Sequence, residues 1–384
     1  MFTETWLPTV NGVVTSVASS SLALRRAGHS VEIFAPKSKA GMKVALPGMR
    51  GIEQIPVHVF RSLVFKPYPD YNVTLPPVRI NKLVKNRGFS VIHTHGPFSL
   101  GWAGLYCAKR NHIPCVSTFH TPISEYVEFL FGKHQRLVYV GKRIAWKYCT
   151  AYYNRCDAVI APSGVVKKLL REKGVKRPVF VLPTGIDLDE LDSVKRDKRV
   201  LKKFGIDRPF VLMHGRISPE KNPQDAILAM KRVRSGVMLV VTGKGPALEG
   251  MKALARREGV ADRVRFLGFV ENRDLFHLFH EALAGVMPSG ADTQSMVIFE
   301  EMAFGMPILA ADAMAFPEFI KDGYNGFLFP LHGSAKIASL IDRVAGDPRL
   351  RARLSKNART VAESDSGERR AKELVALYAS VGAK

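Results

Sequence analysis

Short apolar, β-branched runs alternate with amphipathic stretches along this chain, and the alternation runs through twice. In the first set, Ser30–Ala35, Ser90–His93, Pro114–Thr118 and Asp157–Ala161 read as buried strands, with helical spacing over Val14–Ala27 and Val78–Arg87 between them. A strand apolar on both faces needs cover on both, and helices between strands supply it, so the pattern predicts a parallel sheet sandwiched by helices. The second set opens at Phe210–His214 and continues through Val237–Thr242, Val264–Leu267, Leu283–Met287, Pro307–Ala310 and Phe327–Phe329. Its helices include Gln224–Val233, Leu248–Glu258 and, after the last strand, Ser334–Val344. The charged stretch Asp187–Lys203 parts the two sets. The expected architecture is α/β: two Rossmann-like, doubly wound domains, residues 1–190 and 206–360, joined by a linker at 191–205 and facing across a cleft. A last helix, roughly Arg349–Ala379, carries no motif, and residues 361–384 are expected to pack back on the first domain. The 384 residues suffice for two buried cores.

Charge distinguishes the halves. The chain holds 57 Lys and Arg against 34 Asp and Glu, a net +23. Residues 1–205 carry 32 against 13, net +19, and the remainder is nearly balanced at +4. Such asymmetry points to a polyanionic partner for the first half, either nucleic acid, an anionic membrane surface or a phosphorylated substrate, unless the charge serves only solubility. The longest stretch without Asp, Glu, Lys or Arg, Gly88–Ala108, contains His93, His95 and Pro97 and reads as strand, loop and helix start rather than a membrane span. Thr3, Glu4 and Thr5 directly after Met1-Phe2 do not read as a secretory leader. Cys107, Cys115, Cys149 and Cys156 lack metal-binding spacing and are expected as buried thiols in a cytoplasmic protein.

Ligands of doubly wound sheets bind at the carboxyl ends of strands, so the loops there carry the chemistry. Gly215–Asn222 (GRISPEKN) follows the strand Phe210–His214 and places two cations, Arg216 and Lys221, beside a helix start at Pro223, an arrangement suited to a diphosphate. A surface loop with Lys221 paired to Glu220 is the plainer alternative. Ser289–Pro307 (SGADTQSMVIFEEMAFGMP) follows the strand Leu283–Met287. Its Thr293–Ser295 turn opens an apolar helix, so the backbone N–H groups of Gln294, Ser295, Met296 and Val297 are placed to meet phosphate oxygens. Asp292 precedes the turn, as ligand or as helix cap. Glu300 lies further along, as an acceptor for ribose hydroxyls or as an exposed acid. Gly12 in Pro8–Val13 (PTVNGV) would let backbone approach a phosphate, and His120 in Thr118–Pro122 (TFHTP) would face the cleft to bond a sugar hydroxyl or help move a proton. Asp187-Leu188-Asp189 matches a three-residue metal pattern but is read as a turn, and Gly243-Lys244-Gly245-Pro246 lacks the full dinucleotide-binding pattern.

In this order, PTVNGV, HTHGP, FHT, APS, LPTGID, GRISPEKN, TGKGP, FLGFV, the Asp292/Glu300 segment and DGYNGFLF resemble the retaining glycosyltransferases of family four, whose fold is GT-B. The resemblance spans almost the whole chain. It implies that Arg216 and Lys221 bind the donor diphosphate, that Glu300 holds the ribose, and that Asp292 with the following turn holds the transferred sugar. His120 and Gly12 would approach the sugar and diphosphate from the first domain. The leaving phosphate would help deprotonate the acceptor on the same face, with no metal or other cofactor required. Two departures stand out. Asp292 replaces the usual Glu, and the run after it, Thr293-Gln294-Ser295, looks like the subgroup that glucosylates diacylglycerol. The chain also begins where the family's first strand already runs, so that strand is expected to be stunted.

The basic first half is the acceptor half. In Gly132–Thr150, Lys133, Arg136, Arg143 and Lys147 fall at helical spacing, with Leu137, Val138, Ile144, Ala145 and Trp146 as apolar surface. This resembles an interfacial helix on an anionic membrane. Thr121–Phe131, and Phe65, Tyr68 and Tyr71 in a nearby loop, add aromatics. The expected partners are a nucleotide-sugar donor, a UDP-sugar or GDP-sugar, and a lipid acceptor at the inner face of the cell membrane. Glucose from UDP-glucose onto diacylglycerol comes first. GDP-mannose with phosphatidylinositol or a soluble glycan is the alternative. A nucleotide-sugar epimerase would leave the GRISPEKN and Asp292/Glu300 pairing unexplained, and no motif supports a nucleic-acid-binding module.

Overall fold

A computed structural model describes residues 1–9, 11–37, 49–64, 72–74, 80–120, 127, 132 and 134–383. The chain divides into two compact units, Met1–Gly185 with Gly367–Lys384, and Ile186–Ser366.

The second unit is built on six parallel strands, β9 (Phe210–His214), β10 (Met238–Thr242), β11 (Val264–Gly268), β12 (Gly285–Met287), β13 (Ile308–Ala311) and β14 (Gly326–Phe329), in the order β11-β10-β9-β12-β13-β14. The strand order reverses between β9 and β12, which makes that junction the switch point where such sheets open a crevice. β10, β12 and β13 are buried along their whole length. That is why their sequences are runs of Val, Leu, Ile, Met and Ala rather than alternating patterns. One core fills each face of the sheet, around Ile227, Leu239 and Ile341 on one side and Leu212, Phe279 and Phe299 on the other.

The first unit repeats the topology. β5 (Ile92–Thr94), β6 (Cys115–Thr118), β7 (Ala158–Ala161) and β8 (Val179–Val181) run parallel in that order, and β1 (Ile33–Pro36) pairs parallel with β2 (Val57–Phe60). Phe2 joins the two groups: its N–H donates to His93 O (2.8 Å), His95 N donates to Phe2 O (2.8 Å), and it bridges Phe34 on the other side. The first strand position is thus held by one residue, whose ring stacks on Phe34 at 4.3 Å. With Phe2 counted first, the strand order matches that of the second unit. An antiparallel pair, β3 (Ser62–Val64) with β4 (Asn72–Thr74), stands apart.

Two expectations about the chain's path need correction. Residues 191–205 are not a linker. The unit boundary falls at Gly185–Ile186, and the charged stretch folds into the short helices Leu188–Asp192 and Arg199–Lys203, whose Leu191 and Val200 are buried in the second unit's core. Arg359 binds Asp192 through its two terminal guanidinium nitrogens (2.6 and 2.8 Å) and so ties this segment to its own unit. The final helix is two helices, Pro348–Ser364 in the second unit and Gly367–Ser380 in the first. The break comes where Ile186 N donates to Asp365 O (3.2 Å). Gly367–Ser380 buries Leu374, Leu377 and Tyr378 against Leu24, Val116 and Ile160 of the first unit. No helix among the described residues is long and apolar enough to cross a membrane.

Candidate active site

At the switch point of the second unit, the loop after β9 is held by the loop after β10. Gly215 N donates to Thr242 O (3.2 Å), Ile217 N to Lys244 O (3.0 Å) and Ala247 N to Ile217 O (3.0 Å). This approach needs glycine. A Cβ on Gly243 would lie 1.9 Å from Gly215 O, and one on Gly245 would lie 2.0 Å from Ile217 O. The GKGP segment is therefore the support of the Arg216 loop. A short 3-10 turn, Pro219–Lys221, follows, and Asn222 in a left-handed conformation turns the chain into the helix Pro223–Met230. Asn222 Nδ2 donates to Pro288 O (3.3 Å), which fastens this loop to the one after β12.

Across that junction Lys221 Nζ bonds Asp292 Oδ1 at 2.5 Å. Asp292 is only 9% exposed, and Lys221 is half-buried. Glu220 is engaged elsewhere, accepting from Ser218 Oγ (2.5 Å). Asp292 is not a helix cap. Ser295 occupies the cap position of the helix Met296–Ala303 with φ 67° and makes no side-chain cap bond, and no acid lies in the first turn. A left-handed serine costs about 1–2 kcal/mol. It turns the chain sharply into the helix, whose Val297 lies over Gly215. The crevice thus collects a helix N-terminus without a side-chain cap, a lysine fixed by a buried aspartate and, one residue past Gly215, half-buried Arg216. Backbone N–H groups, the helix dipole and two cations together suit an anion.

Residues 10–190 match the family profile described as Glycosyltransferase Family 4, and residues 195–361 match Glycosyl transferases group 1. The chain belongs to glycosyltransferase family 4. The glycosyltransferase is 29% identical to the alpha-monoglucosyldiacylglycerol synthase of Streptococcus pneumoniae, over 89% of this chain and 76% of that protein. It is 28% identical to a GDP-mannose-dependent alpha-mannosyltransferase of Mycolicibacterium smegmatis, over 86% of this chain and 84% of that one. Among solved structures, Anabaena HepE in complex with UDP-glucose superposes with a TM-score of 0.74 at 20% identity, covering 99% and 98% of the two chains. The fold is GT-B, and the enzyme is a hexosyltransferase that uses a nucleotide sugar.

The glycosyltransferase's first unit offers an internal comparison. The helix after β5, Ser99–Asn111, is placed like the helix after β12, but its N-terminus is filled. Glu4 accepts from Leu100 N, from Gly101 N (3.2 Å) and from Ser99 Oγ (2.9 Å). Glu4 is buried, and burial raises its carboxyl to about 7. The sequence reading missed Glu4, a single acid with no pattern around it. Gly12 opens the helix Gly12–Arg26 in open space, with nothing within 4 Å of an added Cβ. Asn11 Oδ1 caps that helix, accepting from Val13 N (3.1 Å) and Val14 N (3.0 Å). His120 is half-buried, and its Nε2 bonds His95 Nδ1 at 2.9 Å. Asp187 caps the helix Leu188–Asp192 and Asp189 lies in its first turn, so the pair sits at a helix start rather than in the expected turn.

Gln294 is buried beside Asp292, and Glu300 is half-buried rather than exposed. Burial raises the Glu300 carboxyl to about 7. The next residue, Glu301, is fully buried, and neither of its carboxylate oxygens has a hydrogen-bond partner among the described residues. Burial first, and Glu300 second, raise it well above its ordinary 4.5. The folded protein therefore keeps a proton that the unfolded chain releases, and stability falls as pH rises above 4.5 toward the folded value. Glu301→Ala removes this cost. Its melting temperature should exceed that of the parent by several degrees at pH 8 and by less at pH 5, in thermal melts at the two pH values.

The expected membrane-facing residues lie on the helix Gln135–Tyr153, where Arg136, Arg143 and Lys147 are exposed. Lys133 falls outside the described residues, as do Phe65, Tyr68, Tyr71 and, apart from Val127, residues 121–131. The apolar surface differs from the expected one. Trp146 stacks on Phe119 at 6.1 Å, and Val138 and Ala145 are half-buried. Leu137, Val140 and Ile144 form the exposed stripe, 51–62% accessible, with Tyr139 and Tyr148 beside it.

Proposed function

We propose that the enzyme is a retaining, metal-independent glucosyltransferase that moves glucose from UDP-glucose to the hydroxyl of a membrane lipid such as diacylglycerol. Arg216, Lys221 and the N–H groups opening the helix Met296–Ala303 offset charge on the departing diphosphate. Glu300 accepts from the ribose hydroxyls. Asp292 orients Lys221 and, with Gln294 and Ser295, meets the transferred sugar; His120 and Gly12 contribute from the first unit. Catalysis in this scheme is charge stabilisation and positioning, with the acceptor proton passing to the leaving phosphate on the same face. The observation that carries the donor half is the helix N-terminus beside the Lys221–Asp292 pair at the switch point.

The lipid half of the reading rests on the helix Gln135–Tyr153, whose exposed Leu137/Val140/Ile144 stripe runs between Arg136, Arg143 and Lys147. Apolar residues flanked by cations suit the headgroup region of an anionic leaflet, and the enzyme is read as peripheral at the inner face of the cell membrane. The synthases of diacylglycerol glucolipids among its relatives support this acceptor class. The deciding experiment offers UDP-glucose and GDP-mannose in parallel with vesicles containing diacylglycerol or phosphatidylinositol, and follows donor loss and glycolipid. Transfer from UDP-glucose to diacylglycerol is expected. Transfer only from GDP-mannose would replace this reading with the mannosyltransferase one. A basic residue near an anionic surface contributes about 1 kcal/mol, so the Arg136, Arg143, Lys147→Gln triple variant should partition about 100-fold more weakly. Flotation with vesicles containing anionic lipid measures it, and unchanged partition would remove this helix as the contact.

A further inference from the structure

Positive charge is concentrated in one stretch of the first unit. Residues 132–181 hold 12 Lys and Arg against two acids, Asp157 and Glu172, a net +10 and more than half of the +19 surplus in residues 1–205. Asp157 is engaged, accepting from Lys109 Nζ (3.1 Å) and Cys115 N (2.9 Å). Arg136, Arg143 and Lys147 follow one line along the helix Gln135–Tyr153, at intervals of seven and four residues. Seven residues further on, the same line reaches Asn154, the residue that caps the helix.

Asn154 carries that line onto the turn at residues 173–177, which joins the helix Gly164–Glu172 to β8. Its Nδ2 donates to Gly174 O (3.0 Å), its Oδ1 accepts from Lys176 N (2.7 Å) and its carbonyl accepts from Arg177 Nε (2.9 Å). Thr150 Oγ1 donates to Lys173 O (2.9 Å), and Val175 is buried beneath the turn. The backbone of the turn is therefore fixed to the end of the helix Gln135–Tyr153, while Lys173, Lys176, Arg177 and the neighbouring Arg155 are exposed. Two of these cations stand over aromatic rings, Lys173 Nζ 5.6 Å from the centre of Trp146 and Arg155 Cζ 5.8 Å from that of Trp102. Charges held in this way lose less freedom on meeting a phosphate.

We propose that the turn at residues 173–177, with Arg155, is a second contact with the headgroups of an anionic leaflet: it extends the Arg136/Arg143/Lys147 line into one cationic ridge, and Asn154 holds the two parts of the ridge in line. The ridge runs alongside the exposed Leu137/Val140/Ile144 stripe. A bilayer offers phosphates above hydrocarbon and so satisfies both, whereas a nucleic acid would meet the charges and leave the stripe without a partner. This extension rests on the membrane reading proposed above, and adds that a substitution changing no charge weakens an electrostatic contact.

The test is flotation of the full chain with phosphatidylcholine vesicles containing phosphatidylglycerol, with a thermal melt to show that each variant is folded. The Lys173, Lys176, Arg177→Gln triple variant should partition about 100-fold more weakly than the parent, and Asn154→Ala about tenfold more weakly. Arg232, Arg234, Arg256→Gln removes the same charge from the second unit and should partition as the parent does. An equal loss in that control would reduce the effect to net charge and overturn the proposal. So would a turn triple that floats like the parent while Arg136, Arg143, Lys147→Gln does not; the membrane reading would then stand without the ridge. If both triples float like the parent, the membrane reading fails as well. A turn triple that keeps its partition but loses binding to a duplex oligonucleotide would assign the turn to nucleic acid instead. Because all three side chains of the turn triple are exposed, it remains a test even where Asn154→Ala fails to fold.

Discussion

Lys221→Ala is expected to lower kcat about 10³-fold, the size of effect seen when one charge-stabilising donor is removed from a site that excludes water. Lys221 is the cation whose position is fixed from outside its own loop, by the 2.5 Å bond to Asp292. That bond orients the ammonium before any donor arrives, so little reorganisation remains for the transition state. The substitution also leaves a buried carboxylate without its partner, at a cost of about 1–3 kcal/mol. Turnover of UDP-glucose should therefore be read beside a thermal melt and beside Lys221→Ala/Asp292→Asn, in which the stranded charge is gone. The double variant should regain stability and stay inactive. Activity within tenfold of the parent in either variant would take Lys221 out of the site.

Gly245→Ala should be nearly as damaging, for a different reason. Gly245 carries no functional group, and its backbone is not in the left-handed region. The added methyl would stand 2.0 Å from Ile217 O, a backbone atom held by Ala247 N. The loop carrying Arg216 must move, and a shift of about 1 Å at a positioning group costs around 100-fold in rate. We expect kcat/KM for the donor to drop at least that far, with donor affinity falling in a titration that needs no acceptor. Gly250→Ala, on the next helix in open space, is the matched control and should behave as the parent. Equal activity of the two variants would show that the loop does not depend on that close approach.

Much of this architecture is legible in the sequence, because strands buried on both faces must be continuous apolar runs. The apolar runs Phe210–His214 and Val237–Thr242 coincide with β9 and β10 almost to the residue. The elements that escaped have weaker signals. β2 is partly exposed and mixed in character, and Phe2 holds a whole strand position alone. The stretch Asp187–Lys203 reads as a linker because its charges dominate, while the few apolar residues that anchor it are spaced too widely to form a pattern. In the candidate site, Arg216, Lys221 and Asp292 are legible as polar residues in loops after strands, and Glu300 as an acid in the helix that follows. That Lys221 meets Asp292 is not, since 71 residues separate them and only the adjacency of β9 and β12 brings them together. Glu4 acts through long-range bonds to Ser99, Leu100 and Gly101, which leave no periodicity to find.

Two crevices of one topology pose a problem of choice for a diphosphate. The enzyme resolves it by occupancy. Glu4 is tethered to the helix N-terminus that it fills, so it competes there at the effective concentration of an intramolecular group, in the millimolar range or above. A free phosphate ester meets backbone N–H groups with no side-chain cap at one helix and a resident rival at the other. The choice between the two helices is thus biased toward Met296–Ala303 before any encounter.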